Sequence, residues 1–203
     1  MWWIILIVLA TIVLAMLLSN YEFKKWDDRS NKITNRLSKI ENFKPSNKVV
    51  GFGGFYTFAI DNESEKICYV SEFETRVLDY KDIIGVEIIE DGITISKKTV
   101  PRMAAGVVVG KALAGNVGAI IGGLSGKSKQ RRKVSTLSVK ILLRDTNNPS
   151  LTINCFDSRT MTTERKKSIE TEGKLESHIY KTGKQHAETI EKLVSTIIDK
   201  THK

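Results

Sequence analysis

The chain has 203 residues, with 32 Lys and Arg against 23 Asp and Glu, a formal net charge of +9 and two cysteines. That length allows one ordinary domain with a linker and a tail, and two cysteines exclude a disulfide framework. The basic balance suits a nucleic acid or a membrane surface, but no nucleic-acid-binding module is recognisable, so nucleic acid is not an expected partner.

Residues 1–19, MWWIILIVLATIVLAMLLS, are uncharged and almost wholly apolar. About 20 apolar residues cross a hydrocarbon core, and Trp2 and Trp3 sit where an aromatic belt would lie. A cleavable signal peptide would need a basic residue before the apolar run and a small-x-small cleavage site after it. Neither is present, so an uncleaved single-pass transmembrane anchor is predicted. Lys24, Lys25, Arg29, Lys32, Arg36 and Lys39 all follow the run, which places the bulk of the chain on the cytoplasmic side of the cell (inner) membrane.

Residues 20–48 are polar and basic, with Trp26, Ile33, Leu37 and Ile40 at near-heptad spacing. This predicts a juxtamembrane helix or linker that lies against the domain or the membrane, ended by Pro45.

From Val49 the hydrophobic period becomes two. GFGGFYTFAI, EKICYVS and FETRVLDY read as strands, and IIGVEIIEDGITISKK as a hairpin turning at Asp91-Gly92. STLSVKILLRD and SLTINCFD complete seven short strands, a pattern of small antiparallel barrels or sandwiches. Cys68 and Cys155 fall inside these alternating segments and suit buried free thiols.

Between the hairpin and the last two strands, Gly106, Gly110, Ala114, Gly118, Gly122 and Gly126 recur at every fourth position in an apolar run. Residues four apart share one helix face. In water each glycine costs a helix about 1 kcal/mol against alanine. In a bilayer, small-xxx-small spacing lets helices approach closely. A flexible loop or a helix in a soluble core is the competing reading, but the period of four favours a glycine zipper over 102–126. Lys111 and Asn116 complicate a full span, and a turn at Asn116 would make a helical hairpin with arms too short to cross alone. Arg102 on one side and Lys127, Lys129, Arg131, Arg132 and Lys133 on the other bracket the run and suit anionic headgroups.

The residues from about 162 onward are helical in pattern, with Ile190, Leu193, Val194, Ile197 and Ile198 on one face. Taken together, YKDIIGVEIIEDG, the glycine-rich insertion, STLSVKILL, LTINCF and this closing helix resemble the bacterial pleckstrin-homology-like proteins. The resemblance covers roughly Val49 to Lys200. It implies a mainly β (α+β) fold, a seven-stranded bent barrel capped by a C-terminal helix, and a binding or scaffolding role. The expected organisation is an anchor over 1–19, a basic linker over 20–48, a PH-like barrel with the inserted glycine-rich helical element over 49–161, and a C-terminal helix over 162–203. The anchor, the insertion and the long segment after Phe156 depart from a minimal domain of this type.

Catalytic chemistry is not legible. SGKS at Ser125–Ser128 fails the phosphate-loop pattern, because the required earlier glycine is Ile121. GFGG at Gly51–Gly54 precedes no helix pattern and reads as a strand bulge or a close packing point. His178, His186 and His202 all lie in the C-terminal helical region, far from the cysteines, and suit solvated positions rather than a metal site. No cofactor, metal or catalytic residue is expected, and the chain is not expected to be an enzyme. The predicted function is a membrane-anchored binding or scaffold module contacting anionic lipid or a protein partner. The alternative is an oligomerising effector that permeabilises or remodels the membrane, in stress or phage immunity. Self-association or a membrane-protein partner is expected in either case.

Overall fold

The computed structural model describes residues 2–100, 134–159 and 177–202. In chain order the elements are α1 (Trp2–Ser38), β1 (Asn47–Val50), β2 (Tyr56–Asp61), β3 (Lys66–Ser71), β4 (Thr75–Asp79), β5 (Ile83–Glu90), β6 (Ile93–Thr99), β7 (Thr136–Leu143), β8 (Ser150–Asp157) and α2 (His178–Thr201). Short 3-10 turns fill Phe52–Gly54 and Tyr80–Asp82.

α1 is one helix of 37 residues. No glycine or proline precedes Pro45, so nothing interrupts the backbone ladder between the apolar run and the basic stretch. Among the described residues no helix is long and apolar enough to cross a membrane. This overturns the transmembrane anchor expected over 1–19. The apolar stretch continues without a break into the charged residues Asp27, Asp28, Arg29 and Lys32 of the same helix.

The strands form two four-stranded antiparallel sheets, ordered β1-β2-β3-β4 and β6-β5-β7-β8. The expected seven-stranded barrel is therefore also corrected: there are eight strands among the described residues, and no closed barrel. A barrel needs an unbroken hydrogen-bond ladder round its circumference. Here the chain leaves β4 into the Tyr80–Asp82 turn, where Tyr80 N–H bonds Glu65 O at 2.9 Å, and β4 and β5 are edge and interior strands of different sheets.

The chain divides into two compact units, residues 1–64 with 68–76, and residues 65–67 with 77–203. In the first, the lower part of α1 buries Ile33 and Leu37 with Phe43, Ala59, Cys68 and Val70, and Ile40 packs against this cluster. Every residue of β2 is buried. Burial pushes the Cys68 thiol up to about 12, so it is an inert core thiol rather than a nucleophile. Asp61 closes the β2–β3 turn. Its carboxylate accepts from the backbone N–H groups of Lys44, Glu63 and Ser64 at 2.7, 2.9 and 3.2 Å, and from the Ser64 hydroxyl at 2.7 Å. These bonds, led by that from Lys44, hold its pKa down to about 2.

In the second unit, β7 alternates strictly, with Leu137, Val139, Ile141 and Leu143 buried. α2 starts at Ser177, whose side chain accepts from Tyr180 N, and packs on β5, β7 and β8. Its buried residues, Tyr180, Gly183, Ala187, Ile190, Val194, Ile197 and Ile198, recur at helical spacing. Gly183 permits the closest approach: a Cβ there would lie 2.7 Å from Cys155 O. Tyr180 donates to the buried Glu90 carboxylate at 2.5 Å and stands edge-on to Phe156. Asp91 and Gly92 both have positive φ, 49° and 80°, as a type I′ turn requires.

β6 and β7 flank β5 on its two sides. β6 ends opposite Gly85, whereas β7 begins near the other end of β5, where Leu137 faces Glu90. The segment joining them is the one that carries the glycine stripe. Its described flanks, Val100 and Val134, are both buried.

Candidate binding cleft beside the first helix

The candidate site is built where α1 meets the connection between β1 and β2. That connection is Gly51-Phe52-Gly53-Gly54-Phe55, a turn rather than the strand expected from the sequence. Gly53 and Gly54 take φ of 63° and 68°, a region that costs other residues about 1–2 kcal/mol. Gly54 is also forced by proximity, since a Cβ there would lie 2.9 Å from Ser30 N and 3.0 Å from Ser30 Cα. The turn thus rests directly on the backbone of α1.

Two side chains of α1 hold it there. The Arg29 guanidinium stacks 4.2 Å from the centre of the Phe55 ring, and its Nη1 donates to Gly53 O at 3.4 Å. Trp26, one turn earlier, meets Phe52 edge-on with ring centres 5.3 Å apart. Further down the helix, Arg36 Nη1 donates to Ser71 O and Glu72 O at 3.0 and 2.8 Å. Arg29 and Arg36, two of the basic residues that follow the apolar run, are therefore partly committed to fastening the helix.

Between helix and turn lies a cavity of about 540 Å³, lined by Lys24, Trp26, Asp27, Ser30, Gly53 and Gly54. Lys24 and Asp27 are three residues apart, hence neighbours on the helix surface, and both are exposed. Among the described residues the cleft presents one cation and one anion, a hydroxyl, backbone, and an indole that is partly buried. Its helix residues, Lys24 to Ser30, lie about 10 to 20 Å along the helix from Leu17. Thirteen large apolar side chains in that stretch, from Trp2 to Leu17, are 48% to 82% exposed.

The zipper residues Gly106, Gly110, Ala114, Gly118, Gly122 and Gly126 lie outside the described residues, as do Arg102, Lys127, Lys129, Arg131, Arg132 and Lys133. His178 and His186 are on α2. The His186 ring is half-buried, and desolvation lowers its pKa. His202 ends α2 and places Nε2 2.9 Å from Ile83 O. Among the described residues no three His, Cys, Asp or Glu side chains gather to hold a metal ion. The cleft itself was missed in the sequence because GFGG was placed in a strand. The available signal was a Gly-Gly pair flanked by phenylalanines, facing a helix with Trp26 and Arg29 one turn apart.

Comparison with known proteins adds a family. The family described as glycine zipper containing PH domain matches residues 43–157. The immunity protein of Bacillus phage SPbeta is 37% identical over 76 residues, which are 37% of this chain and 36% of that protein. The SPbeta prophage-derived uncharacterized membrane protein YomJ of Bacillus subtilis (strain 168) is also 37% identical over 76 residues, 37% of this chain and 32% of that protein. The match therefore spans about a third of each relative's length. No solved structure matches the chain.

Proposed function

The chain belongs to the family of glycine zipper containing PH domains, and from that membership we propose that it is a membrane-associated binding module rather than an enzyme. The observation that carries this reading is the exposed apolar stretch of α1. Fully burying each large apolar side chain is worth about 1.5–3 kcal/mol, so leaving thirteen of them in water costs on the order of 20 kcal/mol. Lipid around this stretch removes that cost. The reading requires immersion and not crossing. Lys24 and Lys32 follow the apolar stretch and favour the anionic cytoplasmic leaflet, with the folded units on the cytoplasmic side. The word membrane in the name of one relative supports the membrane association itself. The module's expected contacts are anionic lipid and a protein partner.

The test is flotation of the full chain with vesicles of phosphatidylcholine and phosphatidylglycerol. The parent chain floats, and a variant carrying Leu6→Asp, Leu9→Asp and Val13→Asp stays at the bottom of the gradient. A parent chain that remains dispersed and monomeric beside lipid refutes the reading.

A second reading is favoured by one specific feature, the period-four stripe from Gly106 to Gly126. Several copies would pack through it and act on the membrane, and the immunity protein among the relatives suggests phage immunity as the setting. Gly118→Leu with Gly122→Leu keeps the stripe apolar but prevents close packing. Loss of crosslinked oligomers with unchanged membrane fractionation supports this reading, whereas crosslinking equal to that of the parent chain removes it.

A further inference from the structure

We propose that the cleft between α1 and the Gly51–Phe55 turn binds the headgroup of a phospholipid that carries a primary ammonium beside its phosphate, as in phosphatidylethanolamine. The inference rests on the membrane-associated reading above and gives that association a headgroup preference.

Position is the first argument. The headgroup layer of each leaflet is about 5–8 Å thick, half the difference between the whole bilayer and its hydrocarbon core. With the apolar stretch of α1 in lipid, residues about 10 Å beyond Leu17 come to the outer boundary of that layer. Lys24 is at that distance, and Trp26 and Asp27 follow just outside it, about 14 and 15 Å from Leu17. A lipid whose phosphate and amine reach into the cleft can lay its chains against the exposed Leu14 and Leu17, so one ligand meets both surfaces.

Charge is the second argument. Arg29 is turned away onto Phe55 and Gly53 O, which leaves Lys24 and Asp27, among the described residues, as the charged side chains lining the cavity. One cation and one anion match a zwitterion. A purely anionic headgroup would meet Lys24 but be repelled by Asp27. Neighbouring positions on the helix surface suit a phosphate and an ammonium joined by a two-carbon linker. Lys24 would donate to the phosphate, and the ammonium would donate to the Asp27 carboxylate, a charge-assisted bond. A quaternary ammonium has no N–H to give and loses that bond. Trp26 supplies an aromatic wall that tolerates a cation.

The floor is the third argument. Gly53 and Gly54 bring bare backbone to the cavity, and Gly54 cannot carry a Cβ without meeting Ser30. The resulting space of about 540 Å³ falls within the range of small-molecule sites.

The test uses the full chain in nonionic detergent micelles, titrated with dihexanoyl phosphatidylethanolamine, phosphatidylcholine and phosphatidylglycerol in separate arms. Amide shifts of Gly53 and Gly54 and the indole shift of Trp26 are followed by NMR. Saturating shifts are expected with phosphatidylethanolamine, with affinity at least about tenfold above the other two. Asp27→Asn should remove that preference, since hydrogen bonds to charged groups carry about tenfold or more in affinity. Lys24→Gln should weaken all three phosphates together. Both positions are exposed, so both variants should fold, and circular dichroism checks this. Equal shifts with all three lipids, or unchanged affinities in Asp27→Asn and Lys24→Gln, overturn the proposal. Saturation at equal affinity by glycerophosphoethanolamine, which has no acyl chains, overturns the assignment to a lipid. Flotation that persists while these shifts are absent defeats this inference alone; loss of flotation defeats the membrane-associated reading beneath it.

Discussion

Replacing Gly54 with alanine separates two costs that the structure places on one residue. The first is conformational: at φ 68°, a residue with a Cβ pays about 1–2 kcal/mol. The second is steric. The new Cβ would sit 2.9 Å from Ser30 N and 3.0 Å from Ser30 Cα. Both atoms belong to the backbone of α1 and cannot rotate aside, so the turn must retreat by several tenths of an ångström. Overpacking of this kind costs about 1–3 kcal/mol. The sum is a destabilisation of about 2–5 kcal/mol. Gly92→Ala is the control. Gly92 has φ 80° and nothing within 4 Å of a Cβ, so it bears the conformational cost alone. Alanine stiffens the unfolded chain to the same extent at both sites, and that term cancels in the comparison. For a chain of this size each kcal/mol moves the melting temperature by about 2–4 °C. Gly54→Ala should therefore melt at least about 2–4 °C below Gly92→Ala, followed by circular dichroism in nonionic detergent. Trp emission should shift with it, because Trp26 loses its edge contact with Phe52. If the two variants melt together, the turn does not press on α1, and the cleft as described does not exist.

Two further predictions follow from other contacts. Asp61 has a folded-state pKa lowered to about 2 from an ordinary value of about 3.9, so its contribution is complete above about pH 4 and lost as pH falls towards 2. Urea midpoints measured from pH 6 to pH 2 should fall more steeply for the parent chain than for Asp61→Asn, and parallel curves would contradict the assigned hydrogen bonds. At Gly183, helix propensity alone predicts that alanine stabilises α2 by about 1 kcal/mol. A Cβ 2.7 Å from Cys155 O and 3.0 Å from Phe156 Cβ should cancel or reverse that gain, to a net destabilisation of up to about 2 kcal/mol, and a raised melting temperature would reject the close seat of α2 on β8.

Some of this protein is written locally in its amino acids. The alternation of Leu137, Val139, Ile141 and Leu143 is a property of one strand, and Asp91-Gly92 needs only its own backbone preferences to turn a hairpin. The spacing of Ile190, Val194, Ile197 and Ile198 likewise marks one face of α2 without reference to any partner. The family itself is legible in such patterns, because they survive as a linear order of elements. Other features are decided between distant residues. Period-two patterning cannot say which strands pair with which, and those pairings separate a closed barrel from two four-stranded sheets. The run Tyr56–Asp61 shows mixed polarity, yet all six residues are buried, and Asp61 is tolerated there only because Lys44, Glu63 and Ser64 supply donors. The expected membrane span rested on hydropathy and its flanking residues; the structure runs the apolar stretch without a break into a helix whose later residues belong to a protein core. The cleft has the same origin. Lys24, Trp26, Asp27 and Ser30 are ordinary residues of a basic helix, and Gly53 and Gly54 look like a weak point in a strand. Their meaning as one site appears only when the turn is seated on α1, because a cavity is a relation between two backbones and has no signature in either sequence taken singly.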